Sequence, residues 1–182
     1  MICKKLQACM EGELKKVPLD QCDNQNREFC IRSSDCRPSI KCEEHKRKYT
    51  LQNTLKNHVI SYRMDGGIIV VDASVPEGVQ KCDYLLVLFG EEYSAVLIEL
   101  KGKHVSESLK QIAKTLEQFN PLFRDFKHVY ARSIVTSSTP NLKASPEYTN
   151  LQCLLRRTYR GNIKIKERQY LETDTELHLN KG

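Results

Sequence analysis

The sequence predicts an α/β domain built on one central mixed β-sheet flanked by helices. Three observations carry this. Apolar runs of strand length lie between residues 58 and 101 and again at 129–138, two later stretches repeat apolar residues at helical spacing, and the elements run strands, helix, strand, helix, strand. A chain of 182 residues holds one medium core, enough to bury about 70% of its unfolded surface.

In chain order, residues 1–41 read as an irregular cysteine-rich extension with a short helix near Lys4 to Leu14. Six of the eight cysteines (Cys3, Cys9, Cys22, Cys30, Cys36, Cys42) fall in the first 42 residues. With no apolar leader at the N-terminus, a cytoplasmic setting and reduced thiols are expected. The spacing of Cys30, Cys36, Cys42 and His45 invites a zinc reading, but the C-x-x-C pairs that bring two thiolates onto one ion are missing. The polar segment 42–57 reads as a helix or loop, and residues 42–175 as the α/β domain.

His58 to Val75 suggests two β segments around the Asp65-Gly66-Gly67 turn. Asp83–Phe89 and Ser94–Lys101 are apolar runs joined by Gly90-Glu91-Glu92, which is short enough for an antiparallel hairpin. Ser106 is the expected N-cap of a helix whose Leu109, Ile112, Ala113, Leu116 and Phe119 form one buried face, ended by Asn120-Pro121. Val129–Ser138 alternates as a strand. Pro146–Tyr159 predicts a second helix, with Leu151, Leu154 and Leu155 buried and Gly161 as its cap. Ile163–Leu171 predicts one edge strand guarded by lysines, and residues 176–182 a tail.

Strand alternation puts Glu99 and Lys101 on one face, and the hairpin brings Asp83 beside Glu99. Two carboxylates so placed repel unless a cation lies between them, and oxygen donors favour Mg²⁺ or Mn²⁺. Asp65 is a candidate additional acid, and Glu43 or Glu44 could serve similarly from an upstream helix.

These residues resemble the PD-(D/E)XK nuclease superfamily: an acid opening one strand (Asp83), an acid-x-Lys triplet on the next (Glu99-Leu100-Lys101), then a helix. The resemblance covers residues 58 to about 138 and implies a restriction-endonuclease-like core. It implies that Asp83 and Glu99 bind the catalytic metal with the Leu100 carbonyl, and that Lys101 orients or activates the attacking water. Gln111 matches a glutamine that many members carry on this helix, although Thr115 stands where the Gln-x-x-x-Tyr form has tyrosine and Cys82 where a proline often precedes the acid. A helical wheel sets Gln111 opposite the Leu109, Ile112, Leu116 face. With Cys153 alone after the core, the four-cysteine iron–sulfur cluster of some members is not expected.

The formal charge of +6 favours polyanions. Arg156, Arg157, Arg160, Lys164, Lys166 and Arg168 gather near the C-terminus against Glu167, with Tyr159 and Tyr170 placed to stack on bases. The expectation is a Mg²⁺-dependent endonuclease acting on DNA rather than RNA, with no membrane partner, working as a homodimer if it cuts both strands. The alternative is a non-catalytic nucleic-acid-binding or interaction module on the same fold.

Overall fold

The computed structural model describes residues 2–15, 30–68, 80–100, 104–137 and 140–179. Its elements are α1 (Ile2–Lys15), β1 (Ile31–Asp35), β2 (Ser39–Glu44), β3 (Arg47–Gln52), β4 (His58–Arg63), β5 (Tyr84–Phe89), β6 (Tyr93–Glu99), α2 (Val105–Gln118), α3 (Asn120–Phe123), β7 (His128–Val135), a 3-10 turn at Leu142–Ala144, α4 (Pro146–Tyr159), β8 (Ile163–Glu167), β9 (Gln169–Thr173) and α5 (Asp174–Leu179). The expected second β segment after Gly67 lies outside the described residues.

Among the described residues the strands form a six-stranded sheet, ordered β1-β4-β5-β6-β7-β8, and a three-stranded sheet, ordered β2-β3-β9. The meander β4, β5, β6 is antiparallel, whereas β7 lies parallel to β6 and β8 parallel to β7. A parallel neighbour needs a crossover. α2 and α3 supply the first one and α4 the second.

The large sheet is covered on both faces. On one, Leu85, Val87, Ala95, Leu97, Val129 and Ala131 meet the apolar sides of α1, α2, α3 and α4. On the other, Leu86, Leu88, Val96, Ile98 and Ile134 meet Ile40, Tyr49 and Leu51 of the small sheet and Leu177 of α5. Double coverage explains why the central strands are near-continuous apolar runs.

Several expectations are corrected. In the expected N-terminal extension, the short helix near Lys4 to Leu14 corresponds to α1, but the described residues are not irregular: α1 buries Leu6, Cys9 and Met10 in the main core, and β1 pairs with β4 at the sheet edge. Residues 42–57 hold no helix but complete the β2–β3 hairpin, whose turn places His45 and Lys46 at positive φ, 44° and 66°. Instead of a single edge strand, residues 163–173 form β8 and β9, which turn from one sheet to the other at Arg168, φ 57°. Residues 176–179 of the expected tail belong to α5, and Leu177 there is buried.

Capping also differs. α2 starts at Val105 after His104, with no side-chain cap, so Ser106 lies inside the first turn. α4 follows the expected bounds, with the Ser145 hydroxyl accepting from the Tyr148 amide, but its buried face is Tyr148, Leu151, Leu155 and Tyr159, and Leu154 is exposed. The left-handed residue at its end is Arg160, φ 48°. Gly161 serves close approach instead: a Cβ there would sit 1.7 Å from the Val129 carbonyl oxygen.

A buried ionic network ties the layers together. Arg132 on β7 and Glu172 on β9 are both fully buried, with Arg132 Nε donating to Glu172 Oε1 at 2.5 Å and Nη2 to Oε2 at 3.1 Å. Tyr49 donates to Oε1 at 2.8 Å, and Lys164 and Tyr170 to Oε2 at 3.2 and 3.1 Å. Nearby, the buried Asp174 carboxylate accepts from the Thr54 and Leu55 amides at 3.0 and 2.9 Å, fixing the turn after β3. None of the described helices is long and apolar enough to cross a membrane.

Candidate active site

The acidic pair sits where β5 begins and β6 ends. The ladder pairs Tyr84 with Ile98, and the next positions outward are Asp83 and Glu99. Asp83 is held three ways: its amide donates to the Ile98 carbonyl at 3.1 Å, its carbonyl accepts from the Met64 amide at 2.8 Å, and Oδ2 accepts from the Leu100 amide at 2.6 Å. That last bond is charge-assisted and short. It fixes the half-buried carboxylate of Asp83 against the backbone between Glu99 and Lys101.

Glu99 follows Ala95 and Leu97 on the face toward α2 and is 1% exposed. Its neighbour in the parallel register is Ser133, whose hydroxyl lies 2.6 Å from that of Ser108 on α2. The buried thiol of Cys82 is pushed well above its usual pKa, first by burial and then by the negative charges of Glu99 and Asp83. Both carboxylates therefore act on one small region. Leu100 itself buries its side chain toward the small sheet. Lys101 lies outside the described residues.

Gln111 is not turned away from this region. It is half-buried, and its Nε2 donates to the Lys81 carbonyl at 3.2 Å. One turn on, Thr115 Oγ1 accepts from the Cys82 amide at 2.8 Å and donates to the Gln111 carbonyl at 2.9 Å. Ser108, Gln111 and Thr115 thus make a second buried stripe on α2, polar and aimed at the strand ends. The wheel, read on apolar residues alone, misses it. Gln111 Oε1 is buried with no hydrogen-bond partner among the described residues. A buried acceptor left without a donor is costly in a folded protein, and this one lies beside the residue pair Lys81-Cys82 that leads into Asp83.

Asp65 does not join the acidic pair as a further ligand. Its Oδ1 lies 3.3 Å from the Lys81 ammonium, and among the described residues no three His, Cys, Asp or Glu side chains are grouped to hold a metal ion. Glu43 and Glu44 belong to β2 of the small sheet, not to an upstream helix. The sequence reading missed Lys81, because a single lysine before a strand has no spacing that marks it as buried.

The basic set is divided. Arg156, Arg157 and Arg160 are exposed toward the end of α4, and Arg160 reaches the start of β7, where its carbonyl contacts His128 Nδ1 at 2.8 Å. His128 pairs in register with Ser94, five residues before Glu99. At about 3.3 Å per residue this puts the arginine end roughly 17 Å from the acids. Lys164 is engaged by Glu172 and Tyr170, and Lys166 lies over the Tyr170 ring. Tyr159 is buried and donates to Asn120 Oδ1 at 2.9 Å, so it offers no face to a base. A cleft of about 600 Å³, lined by Glu91, Tyr93, Arg124, Lys127 and Arg160 among others, lies at this same far end, away from the acids.

Comparison with family models, with curated proteins and with solved structures returns no match.

Proposed function

We propose that the protein is a metal-dependent nuclease of the PD-(D/E)XK kind, hydrolysing phosphodiester bonds of nucleic acid, DNA in preference to RNA. The observation that carries the reading is the Asp83 carboxylate bound to the Leu100 amide beside Glu99, at the open end of an antiparallel meander followed by α2 and the parallel β7. That order of elements is the one the resemblance implies. The donor set is oxygen throughout: Asp83, Glu99 and the Leu100 carbonyl. Such a set suits Mg²⁺ or Mn²⁺. When bound, the ion would polarise the scissile phosphate and lower the pKa of a coordinated water.

The chain's own residues then divide the work. Asp83 and Glu99 hold negative charge at a fixed point, and the Leu100 amide keeps Asp83 from turning away. Gln111, anchored through Nε2 on the Lys81 carbonyl, offers Oε1 as an acceptor that orients a water. Lys101, two residues beyond Glu99, is assigned the amine that steadies that water.

The test is cleavage of labelled DNA and RNA duplexes with Mg²⁺, Mn²⁺ or EDTA. Asp83→Asn, Glu99→Gln and Lys101→Ala are each expected to lose activity by at least about a hundredfold, the scale seen when charge-stabilising groups are removed. Full cleavage by Asp83→Asn and Lys101→Ala would overturn the reading.

The burial of Glu99 favours a second reading, a binding module without catalysis. It requires salt-sensitive duplex binding that neither chelation nor Asp83→Asn alters, with no cleavage under any metal.

A further inference from the structure

Lys81 is a buried cation that the proposed chemistry leaves unused. Its side chain is 9% exposed, and its partner among the described residues is Asp65 Oδ1 at 3.3 Å, on a side chain that is 61% exposed. An ammonium carries three donors, and removing it from water is costly unless acceptors replace the water. One carboxylate oxygen, shared with solvent, replaces little of it.

The position of this group is well defined. Lys81 precedes Asp83 by two residues, and its carbonyl is fixed by Gln111. Asp65 follows Met64, whose amide donates to the Asp83 carbonyl at 2.8 Å. Lys81 and Asp65 therefore flank Asp83, Lys81 two residues before it along the chain and Asp65 just past the adjoining end of β4. A second cation attends the ion pair. Arg63 Nε donates to the Asp65 carbonyl at 2.9 Å. The turn at Gly66, φ 68°, lies under that guanidinium, since a Cβ on Gly66 would be 3.6 Å from Arg63 Nη2. Two positive side chains thus gather on one residue beside the acidic pair, Lys81 on the Asp65 carboxylate and Arg63 on the Asp65 backbone carbonyl.

We propose that Lys81 is a phosphate ligand of the candidate site. It takes a backbone phosphate neighbouring the one that meets Asp83 and Glu99, and Asp65 holds the ammonium in place until that phosphate arrives. The proposal rests on the nucleic-acid reading above. A phosphodiester brings two anionic oxygens, against the single carboxylate oxygen now facing the ammonium, and Arg63 is placed to share it.

The test is binding of a short fluorescent DNA duplex by anisotropy, in EDTA, across a salt series. Each phosphate contact adds about 0.9 to the slope of log K against log salt. Lys81→Met is expected to weaken binding about tenfold and to flatten the slope by about one contact, Lys81→Arg to keep the slope, and Asp65→Asn to tighten binding. Parental affinity and slope in Lys81→Met would overturn the proposal, and so would a parent protein that binds no duplex. Should Lys81→Met fail to fold, Asp65→Asn decides: tighter binding supports the proposal and unchanged binding overturns it. The two readings fail separately. Lys81-dependent binding without Mg²⁺ cleavage sinks only the nuclease reading, whereas cleavage by a protein indifferent to Lys81→Met sinks only this one.

Discussion

Replacing Glu172 with glutamine keeps the shape of the side chain and removes its charge from beside Arg132, which is fully buried. The carboxylate now accepts from Arg132 twice and from Tyr49, Lys164 and Tyr170, so the change leaves a desolvated guanidinium uncompensated and several donors facing an amide. Breaking a buried ion pair in this way costs about 3–5 kcal/mol. At about 2–4 °C per kcal/mol for a chain of this size, the melting temperature should fall by roughly 10 °C. Burial tends to raise the pKa of Glu172, but the charge and hydrogen bonds of Arg132, with Tyr49 and Lys164, outweigh it and hold the group below its usual 4.5. A folded pKa below the unfolded one means stability that is complete above about pH 4.5 and lost as pH falls through the lower folded value. Glu172→Gln should therefore flatten the acid limb of the stability profile. Urea unfolding followed by circular dichroism measures both effects, and the double replacement Arg132→Met with Glu172→Leu should recover most of the loss. A single variant within about 1 kcal/mol of the parent would show that the network carries no net coupling between the sheets.

Gly161→Ala should destabilise by at least about 2 kcal/mol, because its Cβ would meet the Val129 backbone rather than a side chain that can move; a thermal melt equal to the parent's would refute this. Among the cysteines whose side chains are described, alkylation at pH 8 with peptide mapping should modify the exposed Cys36 first. Cys42, its pKa pushed by burial up to about 12, and Cys82 should react only after unfolding. Early labelling of Cys82 would mean that the strand end beside the acids opens readily.

The β5–β6 hairpin, α2 and α4 were legible because each is specified locally. Apolar runs flank a short turn in the first, and Ser145-Pro146 opens α4 where a cap followed by proline should. The β2–β3 hairpin was hidden because its turn uses His45 and Lys46 at positive φ, without the Asn or Gly that usually marks such a turn. The bend at Arg168 was hidden for the same reason, so two strands read as one. In the site, the pairing of Asp83 with the end of β6 follows from hairpin register and could be seen in advance. The roles of Gln111 and Lys81 could not, since both depend on how the helix layer sits on strands that are distant in sequence.

The small sheet also bears on how the chain is made. Its β2–β3 hairpin is synthesised well before its parallel partner β9, and the acceptor for Tyr49 comes 123 positions after it. Until Glu172 arrives, β3 has an open edge and the charge of Arg132 has no carboxylate, so the second layer cannot close as it is synthesised. Contacts this far apart in sequence slow folding. Nascent chains that stop before residue 169 should therefore be the species that chaperones hold and proteases find.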